Sequence, residues 1–389
     1  MKNIKYFENS YIKKFKAEVI EIVDYRNNQQ AVILDRTYFY PESGGQLSDK
    51  GKIGKTGVFK VLKIDGKIYH LIKDNINIEL HEKYDCFIDW NRRYDLMKQH
   101  SGQHLLSAIF EDEYGYKTKS FHMSEDYSYI DIEKKDNNEV YADVEYKVNE
   151  EIWEDKVVKT FWIDPDELDN YEIRKIGKFD NKIRIVEIED IDISMCGGTH
   201  VNKIGEIGIL KITNIENIKK NLERIYFLCG ERALNYYDKL NKIKNSLKKI
   251  LATEESEIVK AVKNQIDEKE KLFRDNKKLN EKLIQNKIEF QSNKDTQIVI
   301  DIVEDFDNKT LNYYANQLID IGKKFVLIYD YENNFLLMKQ DGHKYDLKNV
   351  GESLKQKYNS GGGGNNNIFQ IVDINIKEFE EEMKELFKI

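Results

Sequence analysis

The sequence predicts an α+β multidomain chain. A small N-terminal β-barrel covers 1–90, an α+β domain 91–230, a helical hairpin or coiled-coil linker 231–293, and a small α/β domain 294–389. Three observations carry that prediction. Before Trp90 the chain is a succession of short β-branched and aromatic runs with no helical period. Between 231 and 293 apolar residues recur three and four apart, as along a coiled-coil seam. After Asn293 strand-like and helix-like segments alternate, the texture of an α/β domain. At 389 residues, a division into several domains is expected.

In the first region the strand-like runs are 16–24, 30–35, 57–64, 67–73 and 84–90. Asp65-Gly66, between two of them, is a hairpin signal. Many short strands without helices point to a barrel. Within it lies the loop Thr37-Tyr-Phe-Tyr-Pro-Glu-Ser-Gly-Gly-Gln46. Such a loop is usually only a turn, yet Thr37 and Gln46 flank it in a way that suits substrate contact. From 92 to 113 the spacing of Leu96, His100, His104 and Ile109, widened by Leu105 and Leu106, predicts a helix, and Gly115 ends it. Strands are expected at 127–132 and 141–146, a helix across 149–160, and strands at 183–189 and 207–213.

A strand at 224–229 leads into the helical tract. Leu240, Ile243, Leu247 and Ile250 form its first seam, and Ala252-Thr-Glu-Glu-Ser256 interrupts it. Ile258, Val262, Leu272, Leu279 and Leu283 then continue the pattern. The break predicts an antiparallel helical hairpin, with a parallel intermolecular coiled coil as the competing arrangement. Beyond it, strands are expected at 298–303, 325–331, 335–339 and 368–372, and helices at 311–321, 347–358 and 377–387. The run Gly361-Gly362-Gly363-Gly364 falls between a helix and a strand. Either a plain linker or a backbone-lined phosphate or RNA contact fits there.

Composition bounds the function. A hydrophobic fraction of 40% with 12% aromatics sustains real cores and excludes a disordered polypeptide. The net charge of −8, from 62 basic and 70 acidic residues, does not by itself announce a nucleic-acid binder. Local charge differs: residues 211–250 hold ten Lys/Arg against four Asp/Glu, which reads equally as a solvated helix face or a binding patch. Three scattered cysteines, Cys86, Cys196 and Cys229, do not make a disulfide framework and imply a reducing compartment. No signal core or membrane-length apolar run is present in the sequence, so a cytoplasmic protein is expected.

Two short stretches carry the chemistry. His100-Ser101-Gly102-Gln103-His104 places two imidazoles four residues apart on one helix face. Cys196-Gly197-Gly198-Thr199-His200 adds a thiol and a third imidazole across a glycine turn that can approach a ligand closely. Three imidazoles and one thiolate suit a zinc ion. A zinc metallopeptidase helix would need His-Glu-x-x-His; here Ser101 stands where the glutamate would be, so proteolysis is not expected. Four protein ligands either close a structural zinc or position a polar substrate group for attack. Thr37, Gln46, Ser120, His122 and Thr199 are the polar residues available for the second role.

The combination Phe39-Tyr-Pro-Glu-Ser-Gly-Gly-Gln46, His100-x-x-x-His104 and Cys196-Gly-Gly-Thr-His200-Val resembles the alanyl-tRNA editing proteins of the AlaX family. The same elements mark the editing domain of alanyl-tRNA synthetase. Ser120-Phe121-His122 is similar to the free-standing proteins, whereas the glutamine expected near Ser120 in the synthetases is missing. The helical tract and the glycine run resemble the DHHA1-type extension of the long AlaX form, with the glycine signature shortened and followed by three asparagines. The resemblance thus spans essentially the whole chain and makes 91–230 the editing domain. It implies a trans-acting aminoacyl-tRNA deacylase that hydrolyses tRNA(Ala) mischarged with serine, with glycine left open, and holds Zn2+ at His100, His104, Cys196 and His200. A pocket that hydrogen-bonds the serine hydroxyl can reject alanine by ~10⁴ to 10⁵. Thr37 is the residue expected to read that hydroxyl, with Gln46, Ser120 and Thr199 around it. No general base is named; His122 is the candidate by chemistry.

The RNA surface is expected at Arg92, Arg93, Lys219, Lys220 and Arg224 and at Gly361–Gly364, with homodimerisation through the C-terminal region left open. A synthetase fragment is a second reading, disfavoured because the chain opens on barrel-like strands without a phosphate-cradling motif. A non-catalytic tRNA-binding or dimerising protein with a structural zinc is the third.

Overall fold

In a computed structural model, which describes residues 4–26, 29–72, 78–135, 138–174, 176–177 and 182–388, the first ninety residues close into a six-stranded barrel. Its strands are β1 (Lys14–Tyr25), β2 (Gln29–Leu34), β3 (Gly51–Ile53), β4 (Thr56–Ile64), β5 (Lys67–Ile72) and β6 (Lys83–Ile88), in the order β1-β2-β5-β4-β3-β6. Alternating side chains fill the interior: Phe15, Ala17 and Val19 from β1, Val58 and Val61 from β4, Cys86 and Ile88 from β6. Residue 73, the end of one expected strand, lies outside the described residues. The three-residue β3 was not expected, because Gly51-Lys-Ile carries no alternation long enough to read. Its Gly51 sits so close to the Phe87 carbonyl that a Cβ would collide with it.

Helix α1 (Trp90–Tyr114) follows, capped by Asp89, whose side chain accepts from the Arg92 N–H, and ended by Gly115 in the left-handed region at φ 67°. Then come β7 (Lys117–Met123), β8 (Ser128–Glu133), α2 (Tyr141–Glu154), β9 (Val158–Ile163), β10 (Ile183–Ile188), β11 (Asp192–Met195), β12 (Leu210–Lys219), β13 (Leu222–Cys229) and α3 (Glu231–Leu251). Two antiparallel sheets result, β11-β10-β9 and β12-β13-β8-β7. Met97, Leu106 and Phe110 of α1 pack with Val144, Val148 and Ile152 of α2 against Ile130, Ile132, Ile225 and Phe227 of the second sheet.

Two expectations are corrected here. Residues 141–146 are helical rather than extended, and the expected helix over 149–160 is the end of α2 followed by β9. Val144, Val148 and Ile152, four apart and buried on one face, decide the helix; the aromatic ends of Tyr141–Tyr146 imitated a strand. The strand expected at 207–213 starts later, since 204–207 is a 3-10 turn and β12 begins at Leu210.

Contact clustering divides the chain into Met1–Asn245 and Ser246–Ile389. The second unit contains α4 (Ile258–Ser292), β14 (Ile298–Val303), α5 (Asn308–Asp320), β15 (Phe325–Asp330), β16 (Phe335–Gln340), α6 (Leu347–Tyr358), β17 (Gly361–Gly364), β18 (Ile368–Val372) and α7 (Phe379–Phe387). Its sheet runs β14-β15-β16-β18-β17, parallel at β14–β15 and antiparallel elsewhere. Helix α5 covers one face and α6 and α7 the other. The glycine run is an edge strand rather than a loop, paired from Gly361 opposite Val372 to Gly364 opposite Phe369. A Cβ at Gly362 would strike the Gln370 carbonyl, and φ there is +119°, so glycine is required by the close approach.

Candidate metal centre

The α-helical period places His100 and His104 on one face of α1, and both are buried. Gly102, between them, lets the helix touch β13: a Cβ there would overlap the Cys229 sulfur. The second pair arrives from the end of β11. Gly198 lies against the His100 ring, leaving no room for a side chain, and this turn brings Cys196 and His200 inward. Arg184 holds the turn from β10, its Nη1 donating to the Cys196 carbonyl at 2.7 Å and the Gly198 carbonyl at 3.0 Å. One ligand atom from each of His100, His104, Cys196 and His200 lies within 4.8 Å of the others. Cys196 Sγ is 3.5 Å from His100 Nε2 and 3.3 Å from His200 Nε2.

What fixes the imidazoles is a partner on every Nδ1. His100 Nδ1 meets Gln46 Oε1 at 2.8 Å, His104 Nδ1 meets Asp192 Oδ2 at 2.7 Å, and His200 Nδ1 meets Ser101 Oγ at 3.2 Å. Each ring thus turns Nδ1 outward to a polar partner, the arrangement that orients imidazole ligands at metal sites. Gln46 is itself held, accepting from the Thr199 N–H at 3.0 Å and donating from Nε2 to the Thr199 hydroxyl at 2.7 Å. Asp192 also accepts from Arg174 Nε at 2.9 Å.

Charge follows the same geometry. Burial pushes the Cys196 thiol up, but the neighbouring His100 and His200 and hydrogen bonds from His100 and His104 outweigh it and hold the thiol well below its ordinary range. Burial opposes protonation of His104, yet its hydrogen bonds to Asp192 and Cys196 raise it to about 10. Burial, with the nearby His100 charge, drives His200 down to about 3. A thiolate gathered with three imidazoles is the donor set of a zinc site, so these residues fit the ion.

Beside the cluster opens a cavity of 280 Å³, lined by His100, His104, Gln103, Ser107, Thr118 and Phe121 among others. Its wall is a linked polar row: Gln103 Nε2 donates to Ser107 Oγ at 2.9 Å, and Thr118 Oγ1 donates to the same oxygen at 2.8 Å. Phe121 stacks on His100 with ring centroids 5.4 Å apart.

Of the residues singled out in the sequence, the structure brings together His100, His104, Cys196, His200, Gln46 and Thr199. It does not bring the others there. Thr37 is buried in the barrel, where its hydroxyl meets His70 Nε2 at 2.8 Å and accepts from the Phe39 N–H. Ser120 and His122 face the other side of β7, Ser120 donating to Asp131 at 2.6 Å and His122 packing on Tyr129. Strand alternation sends Phe121, not His122, to the cluster. Arg93 is fully buried, bound to Asp49 and to the Ser10 and Tyr38 carbonyls, and offers RNA no surface. Arg92 is mostly covered and paired with Glu125.

Comparison with known proteins now adds to the geometry. Residues 183–226, which contain Cys196 and His200, match the threonyl and alanyl tRNA synthetase second additional domain, and residues 4–92 match tRNA synthetases class II (A). The alanyl-tRNA editing protein AlaX-L of Pyrococcus horikoshii is 29% identical over 93% of this chain and 92% of its own length. The chain is similar to an alanyl-tRNA editing protein almost end to end. The resemblance drawn from the motifs thus holds beyond them. Alanyl-tRNA editing protein Aarsd1 of Danio rerio is 34% identical over 59% of this chain and 57% of its own length. The alanine–tRNA ligase of Archaeoglobus fulgidus is 28% identical over 98% of this chain, which spans 43% of the ligase.

Asp192, Arg184, Ser107 and Thr118 escaped the sequence reading. Arg184 had a signal, a cation in the largely apolar run Ile183–Ile188, since buried charges occur where something pairs them. Asp192, Ser107 and Thr118 had none, because their roles depend on contacts distant in the chain.

Proposed function

We propose that this protein is a trans-acting aminoacyl-tRNA deacylase that hydrolyses the ester joining serine to tRNA(Ala), with zinc held by His100, His104, Cys196 and His200. The observation that carries the proposal is the oriented donor set opening on a small polar cavity; the similarity to proteins named for alanyl-tRNA editing supports it. When bound, zinc supplies fixed positive charge for a polar group of the aminoacyl ester. Gln46, Asp192 and Ser101 keep the three imidazoles in place. Gln103, Ser107 and Thr118 form the wall that reads the amino acid, a role the sequence had given to Thr37, whose hydroxyl is taken up by His70. A seryl hydroxyl can add a hydrogen bond to this wall that an alanyl methyl cannot. Phe121, stacked on His100, lines the cavity beside the ester's site, and positioning there supplies much of the rate.

A second reading has one observation in its favour: four protein ligands complete a tetrahedral zinc, as structural sites do. It makes the chain a non-catalytic tRNA-binding protein. Purified protein offered seryl- and alanyl-tRNA(Ala) separates the two. Serine release with alanine spared, lost on His104→Ala together with zinc, is the expected result. No release from either substrate selects the binding protein, and deacylation persisting in zinc-free His104→Ala removes the metal from the reaction.

A further inference from the structure

Strand β7 has two functional faces. Lys117, Thr118 and Phe121 border the cavity beside the metal cluster, while a register shift between Thr118 and Ser120 turns Ser120 and His122 to the opposite side of the sheet. A bulge re-aims side chains in this way. On that side the pairing aligns Asn214, Tyr226, Tyr129 and His122 in one row across β12, β13, β8 and β7. The rings of His122 and Tyr129 are 5.1 Å apart, those of Tyr129 and Tyr226 5.6 Å, and Tyr127 lies 5.7 Å from Tyr226. The Arg224 guanidinium rests 3.8 Å over the Tyr129 ring, pinned by Asp131. The next rows put Glu216, Arg224, Asp131 and Ser120 beside the aromatics, then Lys219, Leu222 and Glu133, with Lys119 paired to Glu133.

The solvent side of a two-faced sheet is ordinarily polar. Here it presents contiguous π-faces, with Tyr127 43% exposed and His122 also exposed, and lysines at one end. Aromatic rings on an open sheet, with a stacked arginine and a cationic margin, are what single-stranded nucleotides recognise, because every base has a face to stack. The aromatic row ends on β7, the strand whose reverse side borders the catalytic cavity, so a strand of RNA whose 3′ end occupies the cavity passes over this edge.

We propose that Tyr129, Tyr226, Tyr127 and His122 form a stacking platform for the unpaired nucleotides that lead to the aminoacylated 3′ end. The proposal rests on the deacylase reading and is tested without chemistry. The probe is an uncharged RNA hairpin bearing a four-nucleotide single-stranded 3′ overhang, compared with the same hairpin blunt-ended, and binding is measured by fluorescence anisotropy on the full chain. The overhang is expected to tighten binding, and the double variant Tyr129→Ala/Tyr226→Ala to abolish that advantage, weakening overhang binding about tenfold or more. Tyr129→Phe/Tyr226→Phe keeps the rings and is expected to keep the affinity, which separates stacking from a loss of folding. Equal affinity of wild type and the alanine variant for the overhang RNA, or no preference of wild type for overhang over blunt RNA, overturns the platform. Failure of the deacylase reading shows separately, as absence of serine release by the wild-type protein.

Discussion

Histidine appears in this chain in two opposite roles, and burial alone does not tell them apart. His104 is buried beside Asp192 and a thiolate and is raised to about 10. His70 is equally buried but faces only neutral groups, its Nδ1 donating to the Val32 carbonyl at 2.8 Å and its Nε2 accepting from the Thr37 hydroxyl. Burial therefore lowers His70 from 6.5 to about 4, outweighing the Val32 bond. The sign follows from proton counting. Between about pH 6.5 and 4 the unfolded chain binds a proton at this site and the folded barrel does not, so stability is full above 6.5 and falls as pH drops. The loss is about 3 kcal/mol across that window, at 1.36 kcal/mol per pKa unit. Urea melts of wild type and His70→Gln at pH 7 and pH 4.5 check it: wild type is expected to lose more stability on acidification than the variant, and equal losses would assign the acid sensitivity elsewhere. At this scale the sequence was readable where residue type and spacing encode the task. The four residues that could hold a metal stand within two five-residue stretches, and Gln46 sits at the end of a glycine loop. Thr37 and His122 misled because a polar residue near a motif says nothing about which way its strand faces. Thr37 turned into the barrel and His122 away from the cavity.

Among the elements, α3 shows most plainly what a single chain leaves undone. Leu240, Ile243, Leu247 and Ile250 repeat along one side, and all are exposed, at 45%, 49%, 37% and 78%. Helix α4 likewise exposes Val262, Leu272, Leu279 and Leu283. The break between the helices lies where the sequence put it, with a 3-10 turn at Glu255–Glu257. A helix stripe left in water lacks the packing that stabilises most helices, and the heptad spacing of the α3 seam suits a second copy. Homodimerisation through this seam is the proposal, and Ile243→Asp/Ile250→Asp is its test. Two buried isoleucines contribute about 3 kcal/mol or more, so the pair of charges is expected to weaken self-association about 100-fold or more, with zinc content unchanged. Identical mass by light scattering in wild type and variant would remove α3 from any interface. Periodicity made these helices predictable; α2 failed the same reading because three buried valine and isoleucine positions competed with aromatic residues that favour strands.

For the whole molecule, the division into two units puts the whole candidate site in the first of them. Every residue of the candidate centre, its cavity and the aromatic sheet face belongs to Met1–Asn245, which has its own cores. The start of α3 is tied into that unit by Arg232, whose guanidinium binds Asp95 of α1 at 2.7 Å. Ser246–Ile389 carries none of the four candidate ligands but completes a sheet of its own, down to the glycine edge strand. Two modules that grip one large ligand raise affinity through effective concentration rather than through better contacts at either site. A chain ending at residue 245 is accordingly expected to keep its zinc and its serine release at saturating tRNA, while KM for seryl-tRNA(Ala) rises about tenfold or more. Steady-state kinetics on the two chains decide it. Unchanged KM would leave the second unit without a role in holding tRNA, and loss of zinc would mean that the centre depends on more than the unit that contains it. The net charge of −8 sharpens the expectation: a tRNA held, as proposed, at discrete cationic and stacking sites on an acidic protein requires that the KM of both chains rise steeply with salt.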